Sequence, residues 1–285
     1  MSSSGGGSGS DMLFFFFILL IIFAVWVGSG GPDRPISFSG PYLNAITGPG
    51  QSAEPYDTLF QGASASPHRS AITISKSTSG PAQDDPPQEY VSIRMSPLAT
   101  ESISLAGWSV VSKETGKGIR IPEGTALPKA GRVNVSSSVT LSSGEEIILA
   151  TGSSPIGISF REKMCTGYFE QHQDFSPSLS LSCPSAYSEY TRTDIDESEC
   201  EYFSRTVSQC SAVRRAPNDV SSSCEAFVEE VLTYDGCVER HQNDAGFYSS
   251  TWRLFAGERK ELWRDTRETL LLLDNEGRVV DAFSY

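Results

Sequence analysis

Chemistry in this chain has few side chains to run through. There are three histidines, His68, His172 and His241, and six cysteines, Cys165, Cys183, Cys200, Cys210, Cys224 and Cys237. The spacing Cys237-x-x-x-His241-x-x-Asp244 sets a thiol and an imidazole on one face of a helix, a pairing that thiol nucleophiles use. The same three residues offer at most three mixed zinc ligands, and no C-x-x-C pair supplies a fourth. A G-x-S-x-G elbow, a P-loop and an H-E-x-x-H motif are all missing, and the glycines near residues 5–9 and 28–31 read as linker. The stretch Asp194-Ile195-Asp196-Glu197-Ser198-Glu199 has the acids of a calcium loop without its geometry. Glu199 stands where the sharp turn needs glycine, and Arg205 stands where the bidentate glutamate belongs. Acids at the start of a helix are the simpler reading. The expectation is therefore a protein that is not an enzyme, with no catalytic, cofactor or metal residues. The alternative is an envelope hydrolase acting through Cys237 and His241 or through carboxylates of the same segment.

The cysteines point elsewhere. All six fall in one segment of the chain and their number is even, which predicts three disulfides. A small, acidic, loop-rich segment buries too little apolar area to offset its ordering entropy, and each cross-link contributes about 2–4 kcal/mol by restricting the unfolded chain. Spacing alone leaves fifteen connectivities open. Disulfides in turn place the segment in an oxidising compartment.

Charge narrows the partners. The chain has 285 residues with 35 acidic and 22 basic side chains, a formal net charge of −13. Fifteen acidic and five basic residues lie between Cys165 and Ser250, so most of the excess sits beside the cysteines. Nucleic acid binding needs Lys and Arg to displace counterions, and this balance argues against it. An acidic face suits cationic or Ca²⁺-bridged envelope partners.

Four regions follow from texture. Residues 1–11 form a short Ser/Gly tail. Met12 to Val27 carries no polar side chain and is about 24 Å long as a helix, short of the ~30 Å hydrocarbon core, but it predicts a single transmembrane anchor over residues 12–28 if flanking glycines sit at the interface. No basic residue precedes it and no A-x-A follows, which favours an uncleaved anchor over a signal peptide. Residues 29–68 contain six Gly, six Pro and six Ser and predict a disordered tether. From Ala71 onward the pattern is β: Ile72/Ile74, Val91/Ile93/Met95, Trp108/Val110, Ile119/Ile121, Val133/Val135, Val139/Leu141 and the run Ile147–Ala150, punctuated by turn residues. Leu270–Leu273, the turn Asp274-Asn275-Glu276-Gly277 and Val279–Phe283 predict a closing hairpin. Trp252, Phe255 and Trp263 read as core of a returning strand. The cysteine segment, about 164–250, has a helical period instead. A helix is expected near Asp196–Val207 with Cys200, Phe203 and Val207 on one side. Another is expected to start at the box Ser222-Ser223-Cys224-Glu225 and to end at Asp235-Gly236.

Taken in order, Glu89-Tyr90-Val91-Ser92-Ile93, Leu105-Ala106-Gly107-Trp108-Ser109-Val110 and Ile119-Arg120-Ile121-Pro122 resemble the opening of a lamin-tail domain. Leu141-Ser142-Ser143-Gly144-Glu145 with Ile147-Ile148-Leu149-Ala150 is similar to its mid-domain strand pair, and Leu271 to Asp281 with Tyr285 to its closing hairpin. Cys165-Thr166-Gly167-Tyr168-Phe169-Glu170-Gln171 and Glu261-Leu262-Trp263-Arg264 bring the likeness closest to bacterial membrane-anchored members with a cysteine-bearing insert. The resemblance implies an immunoglobulin-like β-sandwich over residues 69–285, interrupted by a small disulfide-rich helical insert, and a non-catalytic binding or scaffolding role. With the anchor and the disulfides, the expected location is a single-pass membrane protein of the bacterial cell envelope. Its C-terminal domain would lie outside the cytoplasm, facing an envelope protein or polysaccharide partner, with no nucleic acid.

Overall fold

A computed structural model describes residues 16–21, 23, 65–76, 80–129, 131–213, 215–218 and 220–285. The chain divides into two units, Met1–Gln51 and Ser52–Tyr285. In the first, residues 16–21 and 23 are helical, and among the described residues no helix is long and apolar enough to cross a membrane. The remainder of the expected anchor, and the tether up to residue 64, lie outside the described residues.

The second unit is mainly β. Its strands are β1 (Ile72–Ser75), β2 (Tyr90–Met95), β3 (Ile103–Ser104), β4 (Ser109–Ser112), β5 (Gly118–Arg120), β6 (Thr140–Leu141), β7 (Glu146–Ala150), β8 (Phe160–Lys163), β9 (Tyr248–Phe255), β10 (Thr269–Leu273) and β11 (Val279–Ser284). They form a five-stranded sheet in the order β1-β2-β7-β9-β8, a four-stranded sheet in the order β11-β10-β4-β5, and the short pair β3-β6. Alternation decides which side chains meet between the two larger sheets. Val91, Ile93 and Met95 of β2, Ile147 and Leu149 of β7, and Trp252 and Leu254 of β9 share one core with Val110, Ile119, Leu270, Leu272 and Val280 of the other sheet. Trp108 and Trp263 close that core, each 2% exposed.

Three local outcomes depart from the pattern read in sequence. Val133 and Val135 alternate like a strand, yet they sit in a loop, almost fully exposed. Asn134 shapes that loop: its Oδ1 accepts from the Lys129 amide at 2.8 Å and its Nδ2 donates to the carbonyls of Lys129 and Arg132. The folded unit also begins slightly before His68, because the Ser66 amide donates to the Val279 carbonyl at 3.0 Å. Finally, β7 is apolar on both faces. Tyr90, Ile148, Ala150 and Phe255 pack on the side away from the core, so this run does not alternate.

The outer face of the five-stranded sheet is covered by the chain that leaves β8. Phe160 packs edge-on against Phe169 and Phe175. Arg253 of β9, 5% exposed, pairs with Glu162 and donates to the carbonyls of Pro177 and Ser178. A buried guanidinium in a sheet needs such a set of acceptors, and here they come from the covering segment.

Candidate functional site

Strands β8 and β9 are antiparallel neighbours, with Lys163 opposite Tyr248. Residues 164–247 therefore leave the sheet and return to it at one point, where the Met164 amide donates to the Phe247 carbonyl at 2.8 Å. Helices α1 (Ala186–Tyr190), α2 (Ser198–Thr206), α3 (Ser222–Ala226) and α4 (Tyr234–His241) lie within this segment. All six cysteines are closed, as Cys165–Cys237, Cys183–Cys210 and Cys200–Cys224. The first bridge joins the root of the segment to α4. The other two sit inside small apolar clusters, Cys183–Cys210 with Tyr168 and Phe247, and Cys200–Cys224 with Tyr190, Phe227 and Leu232.

Capping explains the helix starts. Ser221, one residue earlier than the box read in sequence, accepts from the Cys224 amide at 3.2 Å. The reciprocal contact comes from another helix: Glu197, at the head of α2, accepts from the Ser221 amide and hydroxyl. Asp235-Gly236 does not terminate this helix. A π-helical turn, Phe227–Val231, ends it, and Asp235 and Gly236 lie in the first turn of α4, where the Thr233 hydroxyl accepts from the Gly236 amide at 3.0 Å. The glycine is required there for closeness, since a Cβ would run into the backbone of Glu230 and Val231.

The residues singled out for chemistry meet only in part. His241 and Asp244 do come together, with Nδ1 at 2.6 Å from Oδ2. The other ring nitrogen, Nε2, lies 3.0 Å from Oε1 of Glu189, whose second oxygen accepts from Arg240 at 2.7 Å. His241 and Glu189 are 2% and 4% exposed. With both nitrogens against carboxylates, the imidazole ties α1 to α4 and presents no free nitrogen to a substrate. Cys237, the intended nucleophile, has its sulfur in the bond to Cys165 and is not a thiolate. Of the other histidines, His68 lies over Trp108 at 5.5 Å and His172 ends a 3₁₀ turn.

Sequence reasoning missed Lys163, Glu189 and Glu89, all buried by contacts far along the chain. Burial, with Arg161 adding repulsion, pushes the Lys163 ammonium down to about 7. Its Nζ reaches the Tyr234 hydroxyl at 3.3 Å, and that hydroxyl donates to the Pro128 carbonyl. Glu89 is raised by burial although Thr151 and the amides of Leu262 and Trp263 donate to it. No local pattern marks either residue.

Outward, α2 and α3 frame an acidic hollow of about 430 Å³ lined by Asp194, Ile195, Asp196, Glu197, Ser221 and Ser223. Glu197 is spent on Ser221, while Asp194 and Asp196 are exposed. A trio of acids whose oxygens lie within 4.8 Å of one another, Asp84, Glu261 and Asp265, stands outside the cysteine segment. The chain matches no protein-family model, no curated protein and no solved structure.

Proposed function

We propose that the chain is a non-catalytic binding or scaffolding module of the bacterial cell envelope, membrane-anchored through residues 12–28 and working outside the cytoplasm on a lamin-tail-like, immunoglobulin-like sandwich. The observation that carries this reading is the closure of all six cysteines in the segment between β8 and β9. Such cross-links persist in oxidising spaces and are rare in the cytosol. Support for the sandwich comes from Trp108 buried in the core between the two sheets and from the hairpin β10–β11 paired with β4. Support for a binding role comes from the acidic surface of this cross-linked segment, where Asp194 and Asp196 are exposed while His241 is held between two carboxylates and every cysteine is bridged. The partner expected is an envelope protein or polysaccharide.

The test uses the full chain purified from native membranes. Free thiols are alkylated before and after reduction, and the intact mass is taken. Labelling of all six cysteines only after reduction supports the extracytoplasmic assignment; labelling without reduction overturns it. The same preparation is titrated with isolated envelope fractions over a range of salt, and absence of saturable binding overturns the binding role.

A further inference from the structure

At the opposite end of the β8–β9 pair from the cysteine segment, a groove of about 420 Å³ is formed where the chain after β5, the β7–β8 connection and the end of β9 meet. Its size falls in the range of roughly 300–1,000 Å³ typical of small-ligand sites. Its chemistry is hydroxyl-rich and nearly neutral. Glu123 is the only charged residue in the lining, which holds no Lys, Arg or His.

Which of these groups are free to bind can be decided one by one. The Ser154 hydroxyl donates to the Ile158 carbonyl at 2.6 Å and accepts from the Ile156 amide, so it is consumed. Ser136 shares a contact with Thr125 at 3.3 Å. The Ser159 hydroxyl accepts from the Phe255 amide at 3.0 Å, which leaves its own proton to donate. Among the described residues nothing engages the Ser153 hydroxyl or the exposed Glu123 carboxylate. Beside them lies the half-buried Phe255 ring, stacked on Phe160 and tilted against Phe175, each at 6.4 Å. Gly157 and Gly257, both with φ of +79°, turn the rim without placing a side chain over the opening.

We infer that this groove binds a neutral oligosaccharide, with Glu123 accepting from sugar hydroxyls, Ser153 and Ser159 exchanging hydrogen bonds with them, and Phe255 meeting the apolar face of a ring. An anion is disfavoured by the lone carboxylate and by the chain's net charge of −13. A neutral polyol uses every free group present: a carboxylate accepts two hydroxyls, a hydroxyl both donates and accepts, and a ring face covers C–H groups. The inference rests on the binding-module reading and names the ligand class for one site on it.

The experiment is saturation-transfer NMR and calorimetry on the full chain with cellotriose and chitotriose, and with trilysine as a cationic counter-probe. Wild type, Glu123→Gln and Ser153→Trp are compared; both changes fall on exposed residues and spare the core. The result expected is saturable binding of a neutral trisaccharide, weakened roughly tenfold by Glu123→Gln, since hydrogen bonds to charged groups are the stronger ones, and abolished by the tryptophan that fills the groove. Three outcomes overturn it: no trisaccharide binds while envelope fractions still do, trilysine binds through Glu123 in place of sugar, or sugar binds and ignores both substitutions. Loss of envelope binding as well would overturn the module reading along with it, so the two failures are distinguishable.

Discussion

Lys163 offers the sharpest test of how the cysteine segment meets the sheet. It is 2% exposed, has the Tyr234 hydroxyl as its polar contact, and its ammonium is held down to about 7 by burial and by Arg161, against an ordinary value of 10.5. Below pH 7 the native and unfolded states both hold the proton, and the buried charge weighs on the fold in full. Between 7 and 10.5 the native amine releases its proton while the unfolded chain keeps it. The unfolded state then binds more protons, and stability rises with pH by about 1.4 kcal/mol per unit. Integrated from pH 6 to pH 9, the gain is about 2.7 kcal/mol. Lys163→Met keeps the length of the side chain and removes the titration. Denaturant unfolding of the full chain with its disulfides intact, at pH 6, 7, 8 and 9, should show the two proteins' stabilities converging by that amount as pH rises, with the variant favoured at the acid end. Parallel curves would refute the argument, because they would mean that the amine finds a counter-charge or water that keeps it protonated in the fold.

Glu189→Gln leaves Arg240 and His241 facing a neutral amide in a buried setting, so a loss of about 3 kcal/mol is expected in denaturant unfolding, and an unchanged midpoint would contradict the role given to this network. For Gly236→Ala, the added Cβ meets carbonyl oxygens that belong to backbone and cannot swing away; a loss of about 1–3 kcal/mol in the same assay is the expected outcome. Replacing Cys200 and Cys224 together by alanine opens a loop with a sequence separation of 24 residues, which the chain-entropy relation values at about 3.5 kcal/mol. Hydrogen exchange should place the loss in α2 and α3 while the sheets stay protected.

Much of the sheet was legible because its signal is local. Val91, Ile93 and Met95 alternate, and they face the core as alternation demands. The turn at Asp274–Gly277 is where β10 hands over to β11, with the Gly277 amide bonded to the Asp274 carbonyl. Val133 and Val135 show where the same signal fails: apolar alternation makes a strand only when a partner edge is at hand, and here Asn134 bonds the loop to itself instead. Gly236 failed for another reason. Glycine after a helix reads as a stop, but at this position it serves the close passage of a second helix start, a demand set by tertiary structure.

The candidate site was less legible, and the cause is topological. A hairpin of neighbouring strands can carry an insertion of any length as long as its two ends stay one strand spacing apart, and β8 and β9 satisfy that through the contact of Met164 with Phe247. What the insertion then needs is stability of its own. The disulfides supply it in two small clusters, and the link to the sheet depends on groups distant in sequence: Arg253 on the carbonyls of Pro177 and Ser178, and Lys163 beneath Tyr234. None of these pairs has a spacing that marks it in advance. The His241–Asp244 pair does have one, and it was visible, yet its meaning depended on Glu189, some fifty residues away. A His and an acid at helical spacing describe a catalytic pair and a structural tie equally well; the second carboxylate against Nε2 is what decides for the tie. Among the described residues, the acidic hollow between α2 and α3 and the hydroxyl-lined groove at the far end of the β8–β9 pair are two open hollows, and they share no lining residue. Substitutions in one should therefore leave binding at the other unaltered.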